Sequence, residues 1–422
     1  MRFRKIFIFL VLFLISSTIR AQEFNLTLDE IVLLALRDNP EILLKNKELE
    51  KAKQKIIEAK RELLPDLTLN FNLNKTRGLY QKDITQNSTN LNLRQIIFSG
   101  GRIINTIRLT QKGFEITEAI LDKTKQEVVF NTIKVFYGLI LAKDLVRLNK
   151  RVLENTKEHF KVLKKRYKNG EVSELEIKKI EEALERAKQV YKASLNQLDS
   201  YENFLKNLLH LDLEIKIKPK GEINYEPKEL IFDKAYILAL SRRPEIRQYE
   251  AQIEQLKASK EVIKAQNRPN IYAVWDYYMR SHSSGIGGIS KNQNDYNVIG
   301  LAVSWPIFDG FQSKARLEEI LTEIKEAQIA KDKVIRDIAL ELKNAYLELK
   351  NALNRIETVE KDFLFYRENL RSIKEKYSQG IVSHLELLDA QLQYKIANFN
   401  KKQAIYEYNI AKLNFEKAQG GL

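Results

Sequence analysis

Proline is the residue a helix interior tolerates least, at a cost of about 3 kcal/mol, and this chain of 422 residues withholds it over two very long stretches. Its seven prolines are Pro40, Pro65, Pro219, Pro227, Pro244, Pro269 and Pro306, so none occurs from Asp66 to Lys218 or from Ile307 to Leu422. With 15 Gly against 30% charged residues, little else interrupts these runs. The spacing predicts helices far longer than those of an ordinary globular domain.

The prolines also mark an internal repeat. Asn39-Pro40-Glu41-Ile42 recurs as Arg243-Pro244-Glu245-Ile246, and Leu64-Pro65-Asp66-Leu67 recurs as Arg268-Pro269-Asn270-Ile271, both 204 positions later. Ile97-Phe98-Ser99-Gly100 matches Ile307-Phe308-Asp309-Gly310, and Tyr167-Lys168-Asn169-Gly170 matches Tyr377-Ser378-Gln379-Gly380, now 210 positions later. The second copy has gained six residues between Pro269 and Phe308, where it carries the glycine-rich Ser283 to Gly288 segment. Two copies of this size are too few and too large for a solenoid, whose units run to about 20 to 50 residues. The expected organisation is a leader over 1–21, a first repeat over 22–218, a linker over 219–229 and a second repeat over 230–422.

After Pro65 the helical pattern gives way to alternation. Leu67, Leu69, Phe71 and Leu73 point one way while Thr68, Asn70, Asn72 and Asn74 point the other. A return strand carries Leu91 and Leu93 and ends near Phe98. The second copy offers Ile271, Ala273, Trp275 and Tyr277, then Ile299, Leu301, Val303 and Trp305. Each copy is thus expected to hold one hairpin, over about 66–98 and 270–308, with strands of about 10 residues, the length of a tilted membrane strand. The runs from about Gly101 to Tyr167 and from about Phe311 to Tyr377 have apolar residues spaced for one helix face. Each is expected to end at a left-handed glycine, Gly170 or Gly380. The next helix then starts at a capping box, Ser173 with Glu176 or Ser383 with Glu386.

Composition narrows the function. Zero Cys excludes disulfide scaffolds, Cys-ligated metals and Cys nucleophiles, and His159, His210, His282 and His384 are too scattered for a metal cluster. No cofactor is expected. Catalysis is not expected either, because Gly285, Gly287 and Gly288 lack the third spacing of a dinucleotide loop and no Ser or His sits in a nucleophile motif. Arg2, Arg4 and Lys5 precede an apolar run from Ile6 to Ile15 that is too short to span a bilayer, which reads as a secretory leader cut after Ala21. Removing Arg2, Arg4, Lys5 and Arg20 takes the formal charge from +15 to +11. The remaining cations alternate with acids instead of forming a stripe, so no nucleic acid partner is expected.

Four strands cannot close a barrel, and open edges are not tolerated in a bilayer. Three chains would supply twelve, with apolar side chains to lipid and Asn and Thr to the lumen. In the order, duplication and spacing of these motifs, together with Leu26-Thr27-Leu28-Asp29-Glu30 and Trp305-Pro306-Ile307-Phe308-Asp309-Gly310, the chain resembles the TolC family of outer membrane efflux proteins over nearly its whole length. The fold class implied is mainly α with a transmembrane β part. A duplicated helical hairpin forms a trimeric α-barrel tunnel beneath a twelve-stranded β-barrel, four strands per protomer. The function implied is a passive exit duct of a tripartite efflux or type I secretion system. Its implied partners are two further copies, a periplasmic adaptor, an inner-membrane RND or ABC transporter and outer membrane lipid. A non-conducting coiled-coil surface protein and a periplasmic adaptor subunit are the competing readings. The adaptor would carry one hairpin between split β-rich modules, not two copies.

The resemblance also implies site residues. Acids six and nine residues beyond the second tip glycine ring the family's entrance, which selects Glu386 and Asp389. Under threefold symmetry these would concentrate cations at a narrow pore. Glu386 also suits the capping box with Ser383, whereas Asp389 has no capping duty and its first-copy counterpart is Lys179. A closing link is implied between Tyr377 and Glu176, while the position of a second family link, usually arginine, is Val382. The expected adaptor-docking tips are Gly170, Val172, Ser173 and Gly380, Val382, Ser383.

Overall fold

The computed structural model describes residues 23–79, 82–221, 224–227, 231–284 and 292–422. The expected leader over 1–21 and the glycines Gly285, Gly287 and Gly288 lie outside the described residues. The elements follow in the order β1 (Glu23–Leu26), α1 (Leu28–Asp38), α2 (Pro40–Arg61), β2 (Asp66–Leu79), β3 (Lys82–Phe98), α3 (Arg102–Lys168), α4 (Glu174–Leu208), β4 (Lys216–Pro219), α5 (Phe232–Arg242), α6 (Pro244–Ala265), β5 (Asn270–Ser284), β6 (Asn292–Ser304), α7 (Gln312–Ser378) and α8 (His384–Ala418). The duplication is exact in helix length. Each copy holds helices of 11, 22, 67 and 35 residues. At 1.5 Å per residue, 67 residues extend for about 100 Å.

The prolines act as their chemistry dictates. Pro40 and Pro244 open α2 and α6 at the first helical position, where the missing N–H would have had no intrahelical partner. Pro65 and Pro269 stand immediately before β2 and β5.

The described residues form two compact units, each drawn from both copies: those within 23–44, 123–243 and 337–422 in one, and those within 45–122 and 244–336 in the other. In the first unit the long helices pack through a coiled-coil seam. On α8 the buried residues Ala390, Ala397, Ala404, Ala411 and Ala418 recur every seventh position, the period that keeps one stripe facing its neighbours as helices supercoil. On α7, Ile338, Leu342, Ala345, Leu349 and Ile356 are buried at spacings of three, four and seven. Contacts run from α4 to α3, where Gly138 lies against the Tyr201 ring. They continue from α3 to α8 through Asp144 and Lys402 at 2.6 Å, and from α8 to α7 through Glu407 and Arg355 at 2.6 Å. α4 and α7 are therefore the outer members of this row.

The residues before Pro40 and Pro244 lock the helix ends together. The Asn39 amide donates to the Leu208 carbonyl at 2.9 Å, and the buried Arg243 guanidinium donates to Glu341 at 2.7 Å and to the Lys417 carbonyl. Leu208 ends α4 and Lys417 lies at the end of α8, so equivalent positions perform the same task with different chemistry. The same unit holds a two-stranded parallel sheet pairing β1 with β4.

The second unit contains one antiparallel sheet in the order β2-β3-β5-β6. The expected hairpins are present, but their strands run 13 to 17 residues instead of about 10. The excess is polar sequence such as Ser88, Thr89 and Asn90, held extended by cross-strand pairing where alternation is lost. The β2 residues Leu67, Leu69, Phe71 and Leu73 are 59%, 66%, 62% and 62% exposed. Pairing extends this face through Leu93 and Leu91 to Trp275 and Tyr277, and on to Ile299. Where β3 passes into α3, Gly100 takes a φ of 62° and accepts a 2.7 Å bond from Arg268; its counterpart Gly310 takes a φ of 66°.

Candidate functional site

Two regions of the chain carry features that the fold alone does not require: the tips of the helical hairpins and the open sheet.

At the tips, both long helices end in the same backbone motif. Gly170 N–H reaches the Tyr167 carbonyl at 2.9 Å and Glu171 N–H the Arg166 carbonyl at 3.0 Å; Gly380 and Ile381 repeat this on Tyr377 and Lys376 at 3.0 and 2.9 Å. This closes the last turn with φ values of 77° and 73°, which glycine adopts without a Cβ penalty. Val172 and Val382 are half-buried beneath the turns, while Ser173 and Ser383 cap the following helices. The six tip residues are thus presented in two nearly identical turns.

The caps differ in one respect. Ser173 and Glu176 form the full reciprocal box, with Ser173 N–H donating to the Glu176 carboxylate at 2.8 Å. In the second copy Ser383 Oγ accepts from Glu386 N–H at 3.2 Å, but the return bond is not made. The expected box is therefore half formed. Among the described residues the exposed Glu386 carboxylate has no hydrogen bond or ion pair, while that of Glu176 is spent on its own helix start.

Asp389, one turn further along α8, has partners that sequence spacing did not indicate. His159 Nε2 lies 2.8 Å from Asp389 Oδ1, and Asn155 Nδ2 donates to the same oxygen at 3.0 Å. Both partners come from α3, four residues apart and so on one face. Tyr377 is partly exposed and its ring lies 6.0 Å from that of His384. Among the described residues no hydrogen bond joins Tyr377 to Glu176, which sit on the two outer helices of the row. A polar groove of about 400 Å³ lies between α3 and α8, lined in part by Asp144, Arg147, Lys150, Arg151, Lys395 and Lys402.

The polar face of the sheet is less uniform than the Asn and Thr pattern of β2 implies. Asn90 and Asn92 donate to Asp276 at 3.3 and 2.7 Å. Beyond them Tyr278 stacks on Tyr296 at 5.0 Å, and the Arg94 guanidinium lies 3.7 Å above the Tyr272 ring. The aromatic rows come from the second copy only. Among the described residues no group of three His, Asp or Glu side chains is placed to hold a metal, and no helix is long and apolar enough to cross a membrane.

A sheet with one bare apolar face, joined to helical hairpins of this length in two copies, is a distinctive combination. A family profile described as "Outer membrane efflux protein" matches residues 32–209 and 235–421. The chain belongs to that family. As a member it is an exit duct of the outer membrane, a transport component and not an enzyme. It is 21% identical over 410 residues to the alkaline protease secretion protein AprF of Pseudomonas aeruginosa, covering 92% of this chain and 83% of that protein. It is 21% identical over 406 residues to the outer membrane protein TolC of Escherichia coli, covering 91% and 80%. Among solved structures, the Campylobacter jejuni CmeC outer membrane channel shares the fold with a TM-score of 0.77 at 20% identity, over 93% of this chain and 85% of that one. The Vibrio cholerae outer membrane protein VceC does so with a TM-score of 0.73 at 16% identity, over 93% and 96%.

Proposed function

We propose that three copies of this chain enclose one continuous aqueous conduit, a twelve-stranded barrel in the outer membrane prolonged by a periplasmic tunnel of helices. The observation that carries this reading is the sheet. β2 and β6 form its margins, and a margin in hydrocarbon leaves N–H and C=O groups unsatisfied at several kcal/mol each. Pairing β2 of one copy with β6 of the next satisfies both margins and turns the apolar Leu67 to Leu73 face to lipid. The outer helices α4 and α7 meet a neighbouring copy in the same way, which brings Glu176 and Tyr377 together across the interface as a closing link. Val382 stands where the family carries an arginine, so this chain lacks the second link.

The conduit is passive. Substrate enters from an inner-membrane RND or ABC transporter through a periplasmic adaptor that docks on the tips, Gly170, Val172 and Ser173 in one copy and Gly380, Val382 and Ser383 in the other. Glu386 and Asp389 line the entrance, where up to six carboxylates around a narrow opening raise the local cation concentration.

The test is the conductance of the detergent-extracted trimer in a planar bilayer. Cation-selective current, with selectivity reduced in Asp389→Asn and Glu386→Gln, is expected. A trimer that passes no current even with both carboxylates neutralised would overturn the reading.

A further inference from the structure

We infer that His159 and Asn155 are positioning residues for Asp389, and that through it they set the ion preference of the entrance. The inference rests on the placement of Asp389 at the entrance proposed above.

Asp389 does not hang freely from α8. His159 Nε2 and Asn155 Nδ2 converge on one oxygen, Oδ1, at 2.8 and 3.0 Å, so one oxygen is held toward α3. The Asp389 side chain stays 49% exposed and that of His159 28% exposed, which leaves the carboxylate in reach of passing ions. An ionised carboxylate only accepts hydrogen bonds, so Nε2 must carry the proton. Asn155 is buried, and its own Oδ1 has no hydrogen-bond partner. That omission carries a desolvation cost, and the bond from its other end to a charged acceptor offsets it. Turning the amide over would set oxygen against oxygen, so the cluster has one workable arrangement.

At the offset of 210 the counterparts of Asn155, His159 and Asp389 are Phe365, Asn369 and Lys179. The repeat does not carry this chemistry at its other set of positions, and Lys179 packs on α3 at Thr156 instead.

Its electrical consequence follows from the imidazole, the side chain whose charge changes between about pH 5 and 8. With neutral imidazole, Asp389 presents its full negative charge to the pore; with imidazolium, the pair is close to neutral. The surrounding charges are Glu154, Glu158 and Arg151 on α3 and Lys395 on α8, which share a groove beside the cluster. On α4, Lys179 and Glu182 pack at Thr156, and Glu386 lies one turn nearer the tip on α8. From α7 the contacts at this level are the apolar Leu370 and Ile373. A second imidazole, His384, lies five residues nearer the tip on α8 with its ring beside Tyr377, and its variant is the control.

The experiment is the reversal potential of the reconstituted trimer in a salt gradient, read at about pH 5.5 and 7.5. Cation over anion permeability is expected to rise about threefold between the two values. His159→Gln, which keeps a donor but cannot titrate, should flatten that step while conductance persists. A step of unchanged size in His159→Gln, or one abolished by His384→Gln instead, overturns the inference and leaves the conduit standing. Absence of any effect of Asp389→Asn on selectivity overturns it together with the placement of Asp389.

Discussion

Replacing Gly100 by alanine, with Gly310→Ala as its internal control, separates backbone strain from crowding. Both glycines take nearly the same left-handed conformation, φ 62° and 66°, and a Cβ in that region costs roughly 1–2 kcal/mol. Their surroundings differ. A Cβ at Gly310 meets nothing within 4 Å, whereas one at Gly100 lies 2.5 Å from Arg268 Cβ and 3.2 Å from the Ala265 carbonyl oxygen. Arg268 cannot swing away, because the contact is with the root of its side chain and its guanidinium is anchored on the Gly100 carbonyl at 2.7 Å. Relieving such an overlap costs about 1–3 kcal/mol more. Gly310→Ala should therefore lose about 1–2 kcal/mol and Gly100→Ala about 2–5 kcal/mol. Unfolding of a membrane assembly is rarely reversible, so the assay is thermal melting of the detergent-solubilised protein at one fixed scan rate, read as rank order. Adding Arg268→Gly to Gly100→Ala should relieve the contact with Arg268 but not that with the Ala265 carbonyl, and it gives up the 2.7 Å bond to the Gly100 carbonyl, so recovery should be partial. Equal shifts for the two single variants, or a larger one for Gly310→Ala, would refute the reasoning.

The two faces of the sheet should respond oppositely to charge. Leu69→Arg places a cation on the lipid side and should cost about 2–4 kcal/mol near the bilayer centre, seen as lost trimer in the membrane fraction. Asn70→Arg, one residue on, should assemble normally, and equal loss in both would contradict the facing. Acid should loosen both units at specific points. Hydrogen bonds from the Thr27 backbone and side chain hold the Glu30 carboxyl below its ordinary value, and those from Ser313 do the same for Asp309. A depressed carboxylate contributes stability above its unfolded pKa, and that contribution is lost as pH falls through the folded one. Amide exchange at the starts of α1 and α7 should thus accelerate as pH drops below about 4.5, after correction for intrinsic rates. Glu30→Gln should remove the effect at α1 alone.

Much of the architecture was legible because it is written in residues with few alternatives. Proline gaps located the long helices, strict alternation over Leu67 to Leu73 located a half-apolar strand, and recurrence doubled every such signal. What escaped depended on distance. β1 and β4 are four residues each, Glu-Phe-Asn-Leu and Lys-Ile-Lys-Pro, with no pattern to distinguish them from loop until they pair. The seam from Ala390 to Ala418 was present in the sequence, but alanine signals helix formation more strongly than burial. At the tips, the glycines and serine caps were readable locally, and the half-formed box at Ser383 differs from that at Ser173 in lacking the bond from the serine N–H to the glutamate carboxylate. The partners of Asp389 lie 230 and 234 positions away in sequence, where no spacing rule reaches.

The bare margins of the β2-β3-β5-β6 sheet also bear on how the molecule comes into being. A chain that finishes its helices alone still carries two templates for strand addition, and they accept a stranger as readily as a sibling. With the closure by three copies proposed above, maturation is a collision-dependent step, slowed by dilution, and competing aggregation rises with the lifetime of the single chain. Secretion rate and local crowding at the membrane, as much as the residues themselves, would then decide what fraction of newly made copies ends in the proposed ring.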